Sequence, residues 1–236
     1  MKVVTFGEIM LRLSTEGYSR FVQAQSFDAT FGGGEANVAI SLANFGLEPY
    51  FVCKLPENEI GDACLNHLRR YGVETEFIER GGQRLGIYFL ETGYSQRPSK
   101  VVYDRAHSAV SEMKASEVDW DAVMDGAEWF HWTGITPALG ERPQEAVRAA
   151  CRAAQSAGAT VSCDLNFRSK LWTEEEAQSV MNPLMEYVDV CIANEEDAER
   201  CLGMEPEATD VEAGELDEEG YAQLARDLKS TYDFET

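Results

Sequence analysis

Polar groups gather where the short apolar runs of this 236-residue chain end. Gly7-Glu8 follows the run Val3 to Phe6, and Thr133-Gly134-Ile135 follows Trp129 to Trp132. Asp164-Leu165-Asn166-Phe167-Arg168 follows Val161 to Cys163, and Asn194-Glu195 follows Ile192-Ala193. Ordinary turn and cap chemistry explains any one of these endings. Four together point to a shared cleft, because open parallel sheets bind ligands beyond the carboxyl ends of their strands. Gly32-Gly33-Gly34 stands before a helical pattern, where glycines admit close backbone approach and free N–H groups face a polar or anionic group. The triplet is not a dinucleotide fingerprint, since the third glycine position falls on Asn37, and no Gly-Lys pair exists to make a phosphate-cradling Walker loop. Tyr88, Tyr103 and Arg105 lie in a predicted hairpin, with Tyr103 and Arg105 on one face by the two-residue period of a strand. That face offers a phenol and a guanidinium fork to a carboxylate, and Arg168 can meet the same group. The plain alternative is an amphipathic hairpin with solvated arginines.

The elements that must carry these groups alternate. Val3 to Phe6 reads as a strand, Asn37 to Phe45 as a helix with Val38, Leu42 and Phe45 on one face, and Tyr50 to Leu55 as a strand. Gly61 to Tyr71 is helical with Leu65 and Leu68 inward. Trp129–Trp132, Thr160–Asp164 and Val188–Ala193 read as strands, and Pro143–Ser156, Thr173–Met185 and Glu195–Leu202 as helices. This rhythm predicts an α/β protein, a mostly parallel sheet with helices on both faces. Leu11 to Thr30 lacks a helical period, and LGIYFLE and KVVYDR flank a polar GYSQRPS turn. Together these two stretches predict a small antiparallel sheet projecting from the main domain. Glu205 to Glu219 is acidic at eight of fifteen positions, an expected solvated excursion before an amphipathic helix, Tyr221 to Thr231, that carries Leu224 and Leu228. The chain stops at TYDFET, after a helix and where the alternation calls for a strand, so the expectation is the front part of a longer protein.

Composition narrows the partners. With 44% hydrophobic and 26% charged residues the chain is neither collagen-like nor disordered, and its length suits one large domain or two small ones. Acidic residues outnumber basic ones 42 to 20, for a formal charge of −22. Such a field repels nucleic acid and anionic membrane, and an anionic small molecule needs a local cluster of Arg, Lys or N–H groups. The six cysteines are scattered without a C-x-x-C pair, as suits reduced, buried thiols. MKVVTFGE is too short for a signal-peptide core and no stretch reaches membrane length, so the expectation is a soluble cytoplasmic protein. His67, His107 and His131 show no metal-ligand spacing, and Trp120, Trp129, Trp132 and Trp172 read as core or rim aromatics.

In order along the chain, VVTFGE, FGGGEANVAISLANFG, KLPENEIGDACLNHLRRYGV, YFLE, VVYDRAHSA, WTGITPAL, DLNFRSKLW and IANEEDAE resemble the ribokinase-like (PfkB) carbohydrate kinases. GGGEAN, VVYDRAHSA and DLNFRSKLW are most similar to the 2-keto-3-deoxygluconate kinase branch. The resemblance runs from the first strand to about Leu202. It implies a Rossmann-like doubly wound α/β domain (residues 1–10, 31–84 and 106–236, incomplete at its C-terminal side) and a small β lid (11–30 and 85–105). It further implies that Gly33, Gly34 and Asn37 contact sugar hydroxyls. Tyr88, Tyr103, Arg105, Ile135 and Arg168 would line the pocket, with the two arginines on a sugar acid's carboxylate. Asn194 would face the nucleotide phosphates, and Asp197 would occupy the Glu position of the family's Asn-x-x-Glu motif that organises Mg²⁺. ATP and Mg²⁺ are the implied cofactors, and a homo-oligomer through the lid sheet is a further expectation. The family's Gly-Ala-Gly-Asp segment, with its catalytic base and anion hole, does not occur in the 236 residues and is expected beyond Thr236. The chain alone is therefore expected to be inactive. The alternatives are a fructokinase or ribokinase-type sibling and a non-catalytic sugar-acid binding module; a nicotinamide oxidoreductase is disfavoured by the failed glycine fingerprint.

Overall fold

The computed structural model describes residues 1–205 and 218–236, which fall into two units, Met1–Val118 and Asp119–Thr236. In the first, β1 (Lys2–Phe6) is followed by β2 (Met10–Thr15), β3 (Phe27–Gly32) and α1 (Gly34–Asn44). Then come β4 (Glu48–Leu55), α2 (Glu59–Arg70), β5 (Ile78–Arg80), β6 (Ile87–Glu91) and β7 (Lys100–Asp104). β1, β4 and β5 are parallel neighbours in that order, with Lys2 opposite Glu48 and Cys53 opposite Ile78. Four consecutive residues of β1, Val3 to Phe6, are all buried, the uninterrupted pattern of a strand covered on both faces. Helix α2 starts where the Asn58 side chain accepts hydrogen bonds from the N–H groups of Ile60 (3.1 Å) and Gly61 (3.0 Å), and it buries Cys64 and Leu68. The inward face of α1 differs from expectation. Glu35, Ala36 and Ala39 are buried and Val38 and Leu42 half-buried, whereas Phe45, just past the helix end, is 81% exposed.

The remaining strands of this unit form a separate four-stranded sheet in the order β3-β2-β6-β7. Its outer pairings are antiparallel, Met10 opposite Gly32 and Ile87 opposite Asp104, while the central β2·β6 pair is parallel. Two hairpins, each entering through its first strand, lie side by side, so those two first strands run the same way. The predicted small sheet is present, mixed at its centre.

The second unit contains α3 (Trp120–Met124), β8 (Trp129–Thr133), α4 (Glu141–Ala157), β9 (Thr160–Asp164), α5 (Glu174–Leu184), β10 (Val190–Ile192), α6 (Glu195–Leu202) and α7 (Glu218–Tyr232). β8, β9 and β10 are parallel, with Trp129 opposite Thr160 and Cys191 opposite Cys163. Phe130, Trp132, Val161, Cys163, Met181 and Leu184 form the core. A capping box opens α5: Thr173 Oγ1 accepts from the Glu176 N–H at 3.2 Å, and Glu176 Oε2 accepts from the Thr173 N–H at 2.8 Å. His131 is structural, its Nδ1 lying 2.9 Å from Ser162 Oγ, and burial pushes its pKa down to about 4. All six cysteines are free thiols, five of them buried. Leu224 and Leu228 are buried on α7. The acidic stretch expected as an excursion lies, over 206–217, outside the described residues. Among the described residues no helix is long and apolar enough to cross a membrane.

Candidate functional site

In the first unit the site begins where β1 ends. Glu8 is 3% exposed, although a carboxylate is rarely buried without partners. Both of its oxygens are engaged: Oε2 accepts from Arg105 Nε at 2.9 Å and also from Nη2, and Oε1 accepts from Ser108 Oγ at 2.8 Å. Arg105 follows directly on β7, so the small sheet delivers its guanidinium to the end of the parallel strand. Removing one partner of a buried ion pair typically costs about 3–5 kcal/mol, because the other charge is stranded. Tyr103 and Arg105 do share a face, with the guanidinium carbon 5.5 Å from the Tyr103 ring centre. Tyr88 is opposite Tyr103 in the β6·β7 register, their ring centres 6.0 Å apart.

The glycine triplet closes this group. Gly33 precedes the first turn of α1 and accepts the Asn37 N–H at 2.9 Å, and a Cβ at Gly33 would run into the Glu8 carbonyl oxygen. A Cβ at Gly32 would lie 3.5 Å from the Tyr88 hydroxyl and 3.8 Å from Asn37 Oδ1. Gly34 and Asn37 are exposed at the helix start, where the Gly34 N–H precedes the first intrahelical bond, the one from Asn37 to Gly33. The structure thus brings Gly33, Asn37, Tyr88, Tyr103 and Arg105 into one neighbourhood around Glu8. Its chemistry is an aromatic wall, a cation, and amide donors at a helix N-terminus.

In the second unit Ile135, Arg168, Asn194 and Asp197 all lie just beyond the ends of β8, β9 and β10. The Gly134 N–H donates to the Asp164 carbonyl at 2.8 Å, and the Ile135 N–H donates to Thr133 Oγ1 at 3.2 Å. Asn194 caps α6 by accepting the Asp197 N–H at 2.7 Å, and Asp197 Oδ1 accepts the Phe167 N–H at 2.8 Å. The expected Mg²⁺ residue is therefore also a brace for the DLNFR turn. Burial, followed by the nearby Asp197 charge, raises the Asp164 carboxyl above its usual range, while Arg168 opposes the shift. Arg168 is exposed. Among the described residues no group of three or more His, Cys, Asp or Glu side chains is placed to hold a metal ion. One or two carboxylates suit only a Mg²⁺ that brings water and phosphate ligands with it.

Glu8, Glu35 and Ser108 were not among the predicted site residues. Glu35 is buried at the head of α1 and packs its carboxylate against Gly7. The legible signal for Glu8 was a charge separated by one residue from a short, mostly apolar strand; Ser108 carries no such signal.

Parallel strands with intervening helices, and a small sheet that hands a cation and two phenols to a glycine-led helix, define an α/β protein suited to a compact polar ligand. The pfkB carbohydrate kinase family pattern matches residues 1–229, and the chain belongs to that family. A 2-dehydro-3-deoxygalactonokinase of Haloferax volcanii is 36% identical over 235 residues, covering 100% of this chain and 70% of that protein. A 2-dehydro-3-deoxygluconokinase of Bacillus subtilis is 28% identical over 177 residues, 74% of this chain and 54% of that protein. The crystal structure of a 2-dehydro-3-deoxygluconokinase from Thermotoga maritima is 58% identical with a TM-score of 0.94, covering 99% of this chain and 70% of that one. The fold is accordingly the ribokinase-like α/β architecture expected from the resemblance.

Proposed function

We propose that this chain is the sugar-binding portion of an ATP- and Mg²⁺-dependent cytoplasmic kinase for 2-keto-3-deoxygluconate, or its galacto epimer. The observation that carries this reading is Arg105. On a protein of formal charge −22, a guanidinium seated among Tyr103, Tyr88 and a glycine-led helix is a local anion site in a repelling field. A sugar acid supplies both the carboxylate for that cation and the hydroxyls for Gly33, Gly34 and Asn37. A neutral sugar has no carboxylate for that cation to bind. The relatives whose names specify 2-dehydro-3-deoxy sugar acids support the acid over fructose.

In this reading Arg105 and Arg168 bind the carboxylate, Tyr88 and Tyr103 donate to or pack on the sugar, and Ile135 supplies an apolar wall. Asn194, whose side-chain oxygen is occupied by the α6 cap, turns its amide N–H groups toward phosphate oxygens. Asp197 contributes one carboxylate to a magnesium that otherwise keeps water and phosphate ligands. Mg-ATP, when bound, supplies the phosphoryl group and the charge neutralisation that transfer requires. The chain's own part is to orient the acceptor sugar and exclude the wrong charge.

The chain spans 70% of the Haloferax relative and 54% of the Bacillus one, and no Gly-Ala-Gly-Asp segment occurs in its 236 residues. Without that general base the loss of rate is about 10²–10⁴-fold, before any loss of nucleotide binding. Purified chain should therefore bind the sugar acid in calorimetry and form no ADP from Mg-ATP. A chain extended by a relative's C-terminal segment should form ADP in response to the sugar acid. Sugar-dependent ADP formation by the 236 residues would overturn the inactivity, and preference for fructose by the extended protein would overturn the substrate. Pairing of two copies through the small sheet belongs to the same proposal and is read by sedimentation.

A further inference from the structure

We propose that Glu8 is a positioning residue: it grips Arg105 by Nε and Nη2, so that only the Nη1 edge is offered to a bound carboxylate. The inference rests on the sugar-acid reading above and adds to it the residue that sets the geometry of recognition. Three observations converge on Glu8. Its Oε2 receives both hydrogen bonds from Arg105, and among the described residues Nη1 has no hydrogen-bond partner. Its Oε1 is taken by Ser108 Oγ at 2.8 Å, so the carboxylate cannot swing to follow the guanidinium. Its backbone carbonyl lies against Gly33, and its Oε1 would sit 2.7 Å from a Cβ at Gly86, which would also come within 3.4 Å of Arg105 Cβ. One residue at the end of β1 thus ties together the glycine turn, the entry to β6 and the exit from β7.

The same ion pair could act in the opposite sense, with Glu8 competing against the ligand for Arg105. Burial decides between these. The Glu8 side chain is 2% exposed and that of Arg105 12%, so a ligand that pulled Arg105 away would strand a carboxylate out of water. A bound anion therefore takes the edge that Glu8 leaves. Recognition is then directional: pairing lowers the net charge of the site, and acid is told from neutral sugar by an aligned N–H more than by bare attraction.

The test uses the 236-residue chain with 2-keto-3-deoxygluconate and, as the neutral probe, fructose. Glu8→Gln should weaken sugar-acid binding about tenfold while moving fructose binding less than about twofold. In an Arg105→Ala background the same change should have no further effect, because there is nothing left to position. ¹⁵N spectra provide a readout that simple destabilisation does not move. The Arg105 Nε–H, identified by its loss in Arg105→Ala, should exchange slowly with water in the wild type and rapidly in Glu8→Gln, with the methyl spectrum unchanged. Glu8→Asp keeps the charge but retracts it by one methylene, and should weaken sugar-acid binding similarly if Glu8→Gln fails to fold. Tighter sugar-acid binding in Glu8→Gln, additive effects in the double variant, or a rapidly exchanging Nε–H in the wild type would each overturn the proposal. Absence of sugar-acid binding by the wild type, with the slow Nε–H still present, would instead remove the sugar-acid reading and leave Glu8 holding Arg105 for another ligand.

Discussion

The small sheet holds two buried arginine–glutamate pairs, one at its base and one at its tip. At the base Arg105 meets Glu8; at the tip Arg97 Nη1 meets Glu91 Oε1 at 2.5 Å. Both glutamate side chains are nearly sealed, at 2% and 3% exposure, so burial does not tell the pairs apart. The distribution of hydrogen bonds does. Arg97 spreads its terminal nitrogens over three acceptors, the Glu91 carboxylate, the Tyr18 carbonyl at 2.7 Å and the Thr92 carbonyl at 3.2 Å. Glu91 in turn accepts the Phe21 N–H at 2.9 Å. That arginine staples three segments together. Arg105 gives both its bonds to one oxygen, lies beside an aromatic ring, and keeps an edge for something else. An arginine committed to a carboxylate and two main-chain carbonyls is a fastener; one held from behind by a single carboxylate is, in our proposal, a reader.

The most sensitive test of that distinction lies at the base. Arg105→Ala should weaken sugar-acid binding about 30- to 100-fold, equivalent to about 2–3 kcal/mol of charge-assisted hydrogen bonding, with Lys recovering only part because it lacks the fork. Calorimetry reads it, and an unchanged Kd would erase the contrast between the pairs. At the tip, Arg97→Ala should leave the Kd alone and lower Tm by on the order of 5 °C. A binding defect in folded Arg97→Ala would show that the tip reads ligand too. The Tm gap should itself depend on pH. The Phe21 N–H, followed by Lys100 and Arg97, holds the Glu91 carboxyl below its ordinary 4.5. A depressed carboxyl contributes stability above the unfolded value and loses it as pH falls through the folded one. The difference between wild type and Arg97→Ala should therefore be full at pH 7 and shrink in acid. Smallest of all, Tyr103→Ala should weaken binding about threefold, the value of an exposed cation–π contact.

Much of the fold was legible because apolar period and capping residues act locally. Thr160–Asp164 and Glu195–Leu202 were read at their observed bounds, since alternation, Asn194 and Gly203 announce them. The predicted start of helix α1 is three residues late, and Phe45, placed on its inward face, lies exposed just past its end. Its start follows a run of glycines, whose propensities argue against a helix until the tertiary setting overrides them. The small sheet was visible as two irregular stretches, but its parallel centre was not, because the paired residues of β2 and β6 are 76 positions apart and no local signal relates them. At the candidate site, Tyr103 and Arg105 were readable from a period of two. Glu8 could be seen only as a polar residue after a strand.

Local pattern and composition set the residue types: a parallel α/β rhythm, glycines before a helix, a phenol and a guanidinium two apart, and too few basic residues to attract polyanions. Those follow from short-range periodicity and composition, which need no partner to be read. Long-range contacts settle which arginine is committed and which, among the described residues, keeps an unbonded edge. That choice depends on Glu8 and Arg105, 97 positions apart, meeting in a place water does not reach. Desolvation there makes an unpaired charge expensive, and so holds a surface-type residue in one fixed orientation.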